Sequence, residues 1–488
     1  MTASLKLLVD GQYVDASNGR TFQKLSPVTG DVIADVAAAS LVDVENAIRA
    51  ASDAFDRWSG TPFTERRRVL LTAADYLESR VGEITDEMAS ETGSTARWAG
   101  MNTAEACATL REAAGLTSTS TGELLPSHDP ASSNLSVRVP AGVVLAIVPW
   151  NAPLVLAARS VAIALAVGNT VVLRPSEESP NAAGHLLADA LMHAGIPSGV
   201  INVLTSAPGE GREVIRAAIA HPHVRRVVFI GSTLVGRQLA EVAGNHLTPT
   251  VMELGGKNPT IVLDDADLDV AADQLVFSSF ANSGQVCMAT DRIIASGRIY
   301  DELVHRLVAR SNGLVVGDPR KTITDLGPLI NERAASQFRH LVRDAESTGA
   351  VRLTGSGDTD GLYATPVMLA GLSKTAQLFY EEAFSPIVSV QRAIDENDAI
   401  RQANDTEFGL IASVLSGDAG HAWNVANRIR AGAVHVNGPS VGDEPHVPFG
   451  GVGMSGFGRL GGIDSIRTFT EQRTLYLHGV SLAVPILK

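Results

Sequence analysis

Short apolar runs alternate with amphipathic stretches from residue 143 onward. The apolar runs lie at residues 143–148, 170–173, 200–204 and 226–230. The stretches between and after them have helical spacing of apolar residues, at 154–167, 180–193, 213–220 and 235–242. Strands that are apolar on both faces and alternate with helices are typical of a parallel sheet covered on both sides. Ligands bind such sheets beyond the carboxyl ends of the strands.

A second alternation of the same kind starts near Pro259. It predicts strands at 260–263, 292–295, 386–391 and 433–437. The helices predicted in this half lie at 268–280, 301–314 and 395–403. The pattern therefore predicts a second α/β domain that follows the first along the chain.

The spacing of apolar residues predicts mainly helix in the first hundred residues. Four apolar residues share one helical face there: Val44, Ile48, Ala51 and Phe55. Residues 66–88 continue this periodicity, while Gly93, Gly100 and the Thr/Ser-rich stretch 117–122 predict breaks between helices.

Two segments do not fit either alternation. Residues 124–139 contain two prolines and then an alternating run, which predicts a turn and a strand in an arm or hairpin. Residues 467–488 carry an apolar-polar alternation near the chain end, which predicts an edge strand that pairs with another element.

Composition narrows the class of protein. A chain of 488 residues predicts two or three domains, and 45% hydrophobic with 19% charged residues excludes a disordered chain. The net charge of −14 disfavours binding to nucleic acid or to an anionic membrane surface. No secretory signal and no uninterrupted apolar span is visible. With only Cys107 and Cys287, a disulfide scaffold is excluded and a cytoplasmic location is predicted.

Two residues are candidates for covalent and acid–base chemistry. Cys287 follows a Gly-Gln pair that lets backbone approach a ligand, although a lone cysteine is more often a small buried packing residue. Glu253 lies between Met252 and Leu254, where partial desolvation would raise the pKa of its carboxyl and make it a base near neutral pH. Its alternative is a solvated loop glutamate or an ion pair with Lys257.

Three further candidates follow the predicted strands of the first domain. Asn151 at the end of the first strand is either an oxyanion donor or a turn residue. The stretch Gly231-Ser-Thr-Leu-Val-Gly stands between a strand and a helix, where glycines allow a phosphate to approach, but no GxGxxG fingerprint is present. After the second strand, the run Arg174-Pro-Ser-Glu-Glu offers an acidic residue that can bind ribose hydroxyls.

Taken together, these motifs resemble the aldehyde dehydrogenase superfamily over nearly the whole chain. The motifs occur in the family's order: Pro149-Trp-Asn, Gly168-Asn-Thr-Val-Val-Leu-Arg-Pro-Ser-Glu, Gly231-Ser-Thr-Leu-Val-Gly, Glu253-Leu-Gly-Gly-Lys, Gly284-Gln-Val-Cys, Glu381-Glu-Ala-Phe-Ser-Pro and Pro448-Phe-Gly-Gly-Val-Gly-Met-Ser-Gly. Several independent motifs at these intervals are highly specific.

The resemblance implies an α/β fold with two domains on mostly parallel sheets and a small β bridging arm. An NAD(P)-binding domain is expected at 1–122 and 141–252, and a catalytic domain at 253–466. The bridging segments, 123–140 and 467–488, are expected to join subunits into a homodimer or homotetramer.

The resemblance also implies the roles of residues. Cys287 is expected to be the nucleophile, Glu253 the general base, and Asn151 an oxyanion donor beside the backbone N–H of Cys287. Thiolate attack on an aldehyde, hydride transfer to a nicotinamide and hydrolysis of the resulting thioester would give the carboxylic acid. No metal is expected. The residues expected to bind the cofactor are Val148, Pro149, Trp150, Arg174, Ser176, Glu177, Phe229, Gly231, Ser232, Gly236, Leu254, Glu382 and Phe384.

NAD is the cofactor favoured, with NADP use left open. Arg174 stands where many family members have lysine, and a guanidinium there can accommodate a 2′-phosphate. Glu177 favours NAD, because its carboxylate binds a ribose diol and repels a phosphate.

The stretch that contains Ala152 and Arg159 is similar to the corresponding stretch in the branch of the family that acts on vanillin, salicylaldehyde and benzaldehyde. A small residue beside a guanidinium can admit a planar ring and bind a phenolic or carboxylate oxygen. A structural salt bridge beneath the sheet is the alternative for Arg159. The expected reaction is thus oxidation of an aromatic aldehyde.

Other activities stay open beside this one. An aliphatic aldehyde or semialdehyde dehydrogenase, an acylating coenzyme-A-dependent enzyme, a thiol esterase without redox chemistry and a structural protein are the alternatives. Glu253 argues against the acylating enzyme, which generally lacks this residue, and the presence of all three catalytic candidates argues against a structural role.

Overall fold

The structure is a computed structural model that describes residues 3–119 and 122–478. In this part of the chain the strands are Ala3–Leu5 (β1), Leu7–Val9 (β2), Gln12–Val14 (β3), Thr21–Leu25 (β4), Val32–Ala37 (β5), Gly122–Leu125 (β6), Ser133–Pro140 (β7), Val143–Val148 (β8), Thr170–Pro175 (β9), Ile201–Val203 (β10), Val224–Ile230 (β11), Thr250–Glu253 (β12), Pro259–Val262 (β13), Arg292–Ser296 (β14), Val351–Arg352 (β15), Thr359–Asp360 (β16), Tyr363–Ala364 (β17), Val367–Ala370 (β18), Ile387–Ala393 (β19), Ile411–Leu415 (β20), Ala433–Val436 (β21), Gly456–Phe457 (β22) and Thr470–Leu477 (β23).

The α-helices of the same residues are Leu41–Ser59 (α1), Phe63–Ser79 (α2), Val81–Thr92 (α3), Ala96–Leu116 (α4), Pro153–Ala166 (α5), Leu186–His193 (α6), Gly211–Ala220 (α7), Thr233–Asn245 (α8), Leu268–Phe280 (α9), Tyr300–Asn312 (α10), Glu332–Ser347 (α11), Gln377–Tyr380 (α12), Glu396–Ala403 (α13), Ala419–Ala426 (α14) and Gly462–Phe469 (α15). Short helical turns lie at Asn181–His185, Ala281–Gly284 and Gly453–Ser455. None of the helices in this part of the chain combines the length and apolar character that a membrane span requires.

The first large sheet has the strand order β22-β12-β11-β8-β9-β10-β2-β3. Its central strands, from β12 to β10, are parallel, and the outer strands are antiparallel. Every residue of β8 is buried, as expected for a strand covered on both faces. The four strands and four helices predicted for this half are confirmed within a few residues at their ends.

The second large sheet has the order β15-β18-β19-β14-β13-β20-β21 and is parallel from β18 to β21. The predicted strands and helices of this half are confirmed, but the prediction missed the strands β15 to β18 and β20 and the helices α11, α12 and α14. Among these, β18 and β20 are short apolar runs, for which periodicity alone does not separate strand from helix.

A separate three-stranded sheet contains the segments that fit neither alternation. The strand β7 pairs along its whole length with β23. Its other edge pairs with β6. The predicted arm and the predicted edge strand are therefore confirmed, and they are partners of each other. The edge strand was predicted to run to residue 488, and residues 479–488 lie outside the described part of the chain. On this arm Leu124 is 73% exposed and Tyr476 67% exposed.

The prediction of helix for the first hundred residues is wrong before residue 41. Five strands precede α1, and two of them, β2 and β3, add to the edge of the first sheet. Leu7 and Leu8 are both buried, which explains why β2 lacks the alternation of a half-exposed strand. Gly100 does not break a helix either. It lies inside α4, where an interior glycine costs only about 1 kcal/mol.

The strand order of the first sheet creates a cleft. β8 is the first of the central strands along the chain; β9 and β10 extend the sheet on one side of it, and β11 and β12 extend it on the other. Ligands of open parallel sheets bind at such a reversal, outside the carboxyl ends of the strands. The loops after β8 and β11 and the end of β12 therefore meet at one place.

Asn169 connects the arm to this sheet. Its side chain accepts a hydrogen bond from the Gly142 N–H at 3.0 Å and donates to the carbonyls of Ala164, at 3.1 Å, and Phe469, at 2.9 Å. The residue is fully buried, and its side chain is the partner of the Gly142 N–H, whereas the carbonyls of Ala164 and Phe469 also accept from the backbone N–H groups of Asn169 and Ala141.

Replacing this side chain tests its structural role. We expect N169A to lower the free energy of unfolding by about 1–3 kcal/mol, because the buried Gly142 N–H loses its hydrogen-bond partner. Thermal and denaturant unfolding measure the loss, with N245A on the exposed face of α8 as the control. Equal stability of N169A and N245A would contradict this role.

Candidate active site

A cavity of about 750 Å³ lies beyond the carboxyl ends of β8, β11 and β12. Its lining contains twelve of the residues predicted to form the site: Pro149, Trp150, Asn151, Ser176, Glu177, Gly231, Ser232, Glu253, Leu254, Cys287, Glu382 and Phe384. The cavity thus brings together all three predicted catalytic residues, from both halves of the chain.

The loop that carries Cys287 has an unusual backbone. Asn282, Ser283 and Gly284 follow one another in the left-handed region, with φ values of 50°, 57° and 69°. A Cβ atom at Gly284 would lie 2.3 Å from the Ser385 carbonyl oxygen, so only glycine fits there. Left-handed conformations of other residues cost about 1–3 kcal/mol and cluster at functional sites.

Side chains of buried residues hold the loop in place. Asn258 Nδ2 donates to the carbonyl oxygens of Cys287, at 2.7 Å, and of Ala289, at 2.8 Å. Gln285 Oε1 accepts a hydrogen bond from the Ile330 N–H at 2.9 Å. In contrast, the backbone N–H of Cys287 has no acceptor among the described residues, so it is available to a bound group.

Asn151 joins the end of β8 to this loop. Its side-chain amide donates to the Gln285 carbonyl oxygen at 3.0 Å. Its own carbonyl oxygen accepts from Trp98 Nε1 at 2.9 Å and from Asn282 Nδ2 at 3.0 Å. Because a primary amide has two N–H bonds, the second one stays available in the cavity.

Glu253 is the last residue of β12 and is only 3% exposed. Neither carboxylate oxygen has a hydrogen-bond partner in the part of the chain that the structure describes. Lys257 pairs instead with Asp291, at 2.7 Å, so the predicted alternative of a Glu253–Lys257 ion pair is wrong. Burial raises the pKa of Glu253 well above its ordinary value, with a smaller opposing effect from Arg159.

Burial also governs the thiol. It raises the pKa of Cys287 to about 12, and the carboxyl groups of Glu382 and Glu253 add to this shift. The side chain nevertheless keeps contact with the cavity. Burial likewise raises the pKa of Glu382 to about 8, although the Gly256 N–H donates to this carboxyl at 3.1 Å. Burial thus shifts all three groups toward their protonated forms, and Arg159 opposes this shift at Glu253 and Cys287.

The remaining predicted cofactor residues lie outside the lining. Val148 and Phe229 are buried in the core. A Cβ atom at Gly231 would lie 2.7 Å from the Phe229 ring, so the ring leaves no room for a side chain at residue 231. Gly236 instead gives room to Leu254, because a Cβ there would lie 2.4 Å from the leucine side chain.

Arg174 is also set back from the cavity. It donates to Glu177 Oε2 at 3.0 Å and to Ser206 Oγ at 2.6 Å. The two residues that gave opposing indications about the cofactor therefore form one ion pair, in which Glu177 faces the cavity and the guanidinium is buried.

The two predicted substrate residues lie beside the lining. The Arg159 guanidinium stacks 5.0 Å from the centre of the Phe449 ring, which lines the cavity. It also forms an ion pair with Asp443, so the salt bridge that was the alternative exists, next to the cavity. Ala152 packs against the apolar cluster that contains Trp98 and Val441.

Sequence reasoning missed the other residues of the lining. Phe449 stands in the quoted Pro-Phe-Gly-Gly run. Trp98, which lies outside the lining but donates to the Asn151 carbonyl, is on a helix with no local signal of function. The missed lining residues are Leu156, Glu178, Pro208, Gly209, Ile230, Gly255, Ile330, Asn331, Arg333, Ala334, Gln337, Ala383 and Phe449. Among the described residues, no group of three or more His, Cys, Asp or Glu side chains could hold a metal ion.

Comparison with known proteins identifies the family. Residues 13–475 match the aldehyde dehydrogenase family. The chain is 44% identical to a vanillin dehydrogenase from Pseudomonas fluorescens over 98% of this chain and 99% of that protein. The chain belongs to the aldehyde dehydrogenase family. The resemblance drawn from the motifs is confirmed, and so is the enzyme class, an NAD(P)-dependent aldehyde dehydrogenase.

Two further relatives extend this result. A benzaldehyde dehydrogenase [NAD(+)] from Pseudomonas putida is 38% identical, over 94% of both chains. The crystal structure of a salicylaldehyde dehydrogenase from Pseudomonas putida G7, complexed with salicylaldehyde, has a TM-score of 0.97 at 37% identity and covers 99% of this chain and 100% of that one. The predicted fold class is confirmed. Enzymes of the family use NAD or NADP.

The raised pKa of Glu253 has a consequence for stability. Because the folded chain holds this proton more tightly than the unfolded chain, the carboxyl makes folding less favourable as pH rises above about 4.3, its ordinary value. We expect E253Q, which cannot ionise, to gain melting temperature relative to the parent between pH 5 and pH 8. Thermal unfolding at both pH values measures the difference. If the difference in melting temperature between E253Q and the parent is the same at pH 5 and at pH 8, Glu253 is not a buried ionisable group.

Proposed function

We propose that this protein oxidises an aromatic aldehyde to the carboxylic acid through a covalent thioester on Cys287. One observation supports this most: Cys287 and the unpartnered carboxyl of Glu253 line the same cavity, with an amide donor between the two halves. A thiol and a buried base in one water-accessible space are the groups that acyl transfer to water requires.

The first half of the reaction makes the aldehyde tetrahedral. The Cys287 thiol gives up its proton to solvent, and attack of the resulting thiolate on the carbonyl carbon forms a C–S bond and leaves the negative charge on oxygen. The free N–H of the Asn151 amide and the backbone N–H of Cys287 donate to this oxyanion. Loss of one such donor typically costs about 3–4 kcal/mol in transition-state stabilisation. A nicotinamide cofactor, when bound, would supply the hydride acceptor, and the adduct on Cys287 would become a thioester by loss of hydride.

The second half of the reaction regenerates the thiol. Glu253 takes a proton from water, the hydroxide oxygen bonds to the thioester carbon, and the C–S bond breaks. The carboxylic acid leaves, the sulfur departs as a thiolate, and the proton on Glu253 passes to it, which restores the thiol and the carboxylate. A carboxyl group with a pKa raised by burial suits this role, because a stronger base removes a proton from water more readily than an exposed glutamate does.

The residues present fit a nicotinamide dinucleotide. The amino terminus of α8, which Ser232 caps at the edge of the cavity, presents unpaired backbone N–H groups suited to a pyrophosphate. Phe384 and Trp150 provide apolar walls, and Glu382 adds a carboxyl group. The oxidised nicotinamide ring is a cation, so these acidic surroundings favour its binding, and its charge would lower the pKa of the nearby thiol.

NAD is the preferred cofactor in this proposal. Glu177 lies at the cavity, where its carboxylate accepts hydrogen bonds from ribose hydroxyls, while Arg174 is already held by Glu177 and Ser206. The 2′-phosphate of NADP would lie next to the Glu177 carboxylate and be repelled by it.

The preference for aromatic aldehydes rests on the apolar space near Cys287. Ala152 leaves room where the side chains of Trp98, Val286 and Val441 meet. Met288 contacts this cluster and also the one that includes Cys287 and Phe449, so the two apolar regions are continuous. The three relatives named above carry the names of aromatic aldehydes, which supports the same substrate class.

The domain roles and the assembly are part of the proposal. The halves that carry the two large sheets would be the NAD(P)-binding and catalytic domains, with the boundaries predicted above. The arm formed by β6, β7 and β23 exposes Leu124, Tyr476 and Leu477, and apolar residues on a sheet edge favour pairing between copies of the chain. We therefore propose that the chain forms a homodimer or homotetramer through this arm.

A substrate panel tests the proposed reaction. We expect the parent to reduce NAD with benzaldehyde and hydroxybenzaldehydes, with a kcat/KM at least tenfold above that for hexanal. The variant C287S should lose this activity by at least 1,000-fold, or about 4 kcal/mol. C107S is the matched control, because Cys107 is buried among helices away from the cavity. Turnover of aromatic aldehydes by C287S at the parental rate would refute the proposal.

Cofactor choice gives a second test. Removing the charge of Glu177 in E177Q should raise the ratio of kcat/KM for NADP to that for NAD by about tenfold, which corresponds to about 1.4 kcal/mol of removed repulsion. E241Q, an exposed change on α8, should leave the ratio where it is. If E177Q leaves the ratio of kcat/KM for NADP to that for NAD unchanged, the ribose does not bind at Glu177.

A further inference from the structure

The charges that line the cavity are unfavourable for one part of a nicotinamide dinucleotide. Four residues of the lining carry carboxyl groups: Glu177, Glu178, Glu253 and Glu382. Among the described residues of the lining, Arg333 is the only one with a cationic side chain. The diphosphate of a dinucleotide carries two negative charges, and like charges in a desolvated space repel one another. Arg333 is therefore the lining side chain that can offset the charge of the diphosphate.

The Arg333 guanidinium is free to bind an anion. It is exposed and forms no hydrogen bond and no ion pair with any described residue. The acid next to it in sequence, Glu332, pairs instead with Arg339, one turn further along α11. Arg333 is also the second residue of α11, where the positive end of the helix dipole disfavours a cation. An unpaired cation at this position has no stabilising role in the free chain, which favours a role toward a bound anion.

The helix α11 runs along the cavity between the residues proposed for the two riboses. Asn331, which caps α11, donates to Glu178 Oε1 at 2.7 Å, next in sequence to Glu177 at the proposed adenosine ribose. The later turns of α11 pack against α12, which leads into Glu382 at the proposed nicotinamide ribose. Because the diphosphate joins the two riboses, the first turns of α11, with Arg333, lie along the stretch that the diphosphate crosses.

The diphosphate would be held from both halves of the chain. Ser232 at the amino terminus of α8 lines the cavity from the half with the first sheet. The apolar face of α11, with Phe338 and Leu341, packs in the half with the second sheet. Backbone N–H groups at a helix end and a guanidinium donate to different oxygens of one diphosphate, and the guanidinium can do so with two parallel bonds.

We propose that Arg333 is a cofactor-binding residue, whose guanidinium pairs with the diphosphate of the dinucleotide across the cavity from α8. The ion pair joins the half of the chain that carries Cys287 to a cofactor held at the first sheet. This inference rests on the family's use of NAD or NADP and not on the aromatic substrate.

Binding of NADH without any aldehyde, followed by its fluorescence, measures this contact apart from catalysis. In R333Q we expect the Kd for NADH at low ionic strength to rise at least tenfold, because a charge-assisted pair is lost. At about 0.5 M salt the difference from the parent should shrink to less than threefold, since ions screen an exposed pair. R333K keeps the charge and should stay within threefold of the parent.

The matched control is R343Q. Arg343 is an exposed arginine of the same helix that lies outside the lining, so its loss should leave the Kd for NADH unchanged. An R333Q variant that binds NADH within twofold of the parent at low ionic strength would overturn the inference.

Competition against NADH identifies the phosphate that Arg333 binds. ADP contains a diphosphate and adenosine contains no phosphate, so R333Q should weaken the binding of ADP at least tenfold and that of adenosine less than twofold. Equal losses for ADP and adenosine, or a loss that affects NADPH but not NADH, would overturn the inference. None of these results depends on aldehyde oxidation. A parent that binds NADH but oxidises no aromatic aldehyde would overturn the proposed function and leave this inference standing.

Discussion

The site depends on three hydrogen bonds that meet at Asn151. Its side chain bonds to the Gln285 carbonyl, and its own carbonyl accepts from Trp98 and Asn282. The contacts with Gln285 and Asn282 join the end of β8, which belongs to the same sheet as Glu253, to the loop that carries Cys287. Without them the loop would keep its contacts within the second half of the chain, but it would lose this connection to the sheet that positions the carboxyl.

Burial is the second constraint, and it acts on charge. Glu253, Cys287 and Glu382 share one cavity, and burial raises the pKa of each. A thiolate and two carboxylates together are unfavourable in such a site, since like charges in a desolvated space repel one another and Arg159 offsets this only in part. The same acidic surroundings suit a positively charged ring, so cofactor binding and activation of the sulfur are linked by electrostatics.

Much of the fold and of the site was predictable from sequence, because the signals are local. Central strands such as β8 are uninterrupted apolar runs, and the cysteine, glutamate and asparagine stand in short motifs at strand ends. The five strands before α1 were missed because β2 is buried on both faces and shows no alternation. Arg159 was predicted to face either the substrate or a salt bridge; its partner Asp443 lies far along the chain in a stretch without regular structure, and no local pattern joins the two.

The covalent intermediate is the claim on which the account stands, and trapping it is the most direct test. In E253Q, attack and hydride loss can proceed while water attack cannot, so the acyl group should stay on sulfur. After mixing with NAD and benzaldehyde, intact-protein and peptide mass spectrometry should show one benzoyl group per chain, on Cys287. A fully active E253Q that forms reduced cofactor over many turnovers, with no adduct on Cys287, would contradict the account.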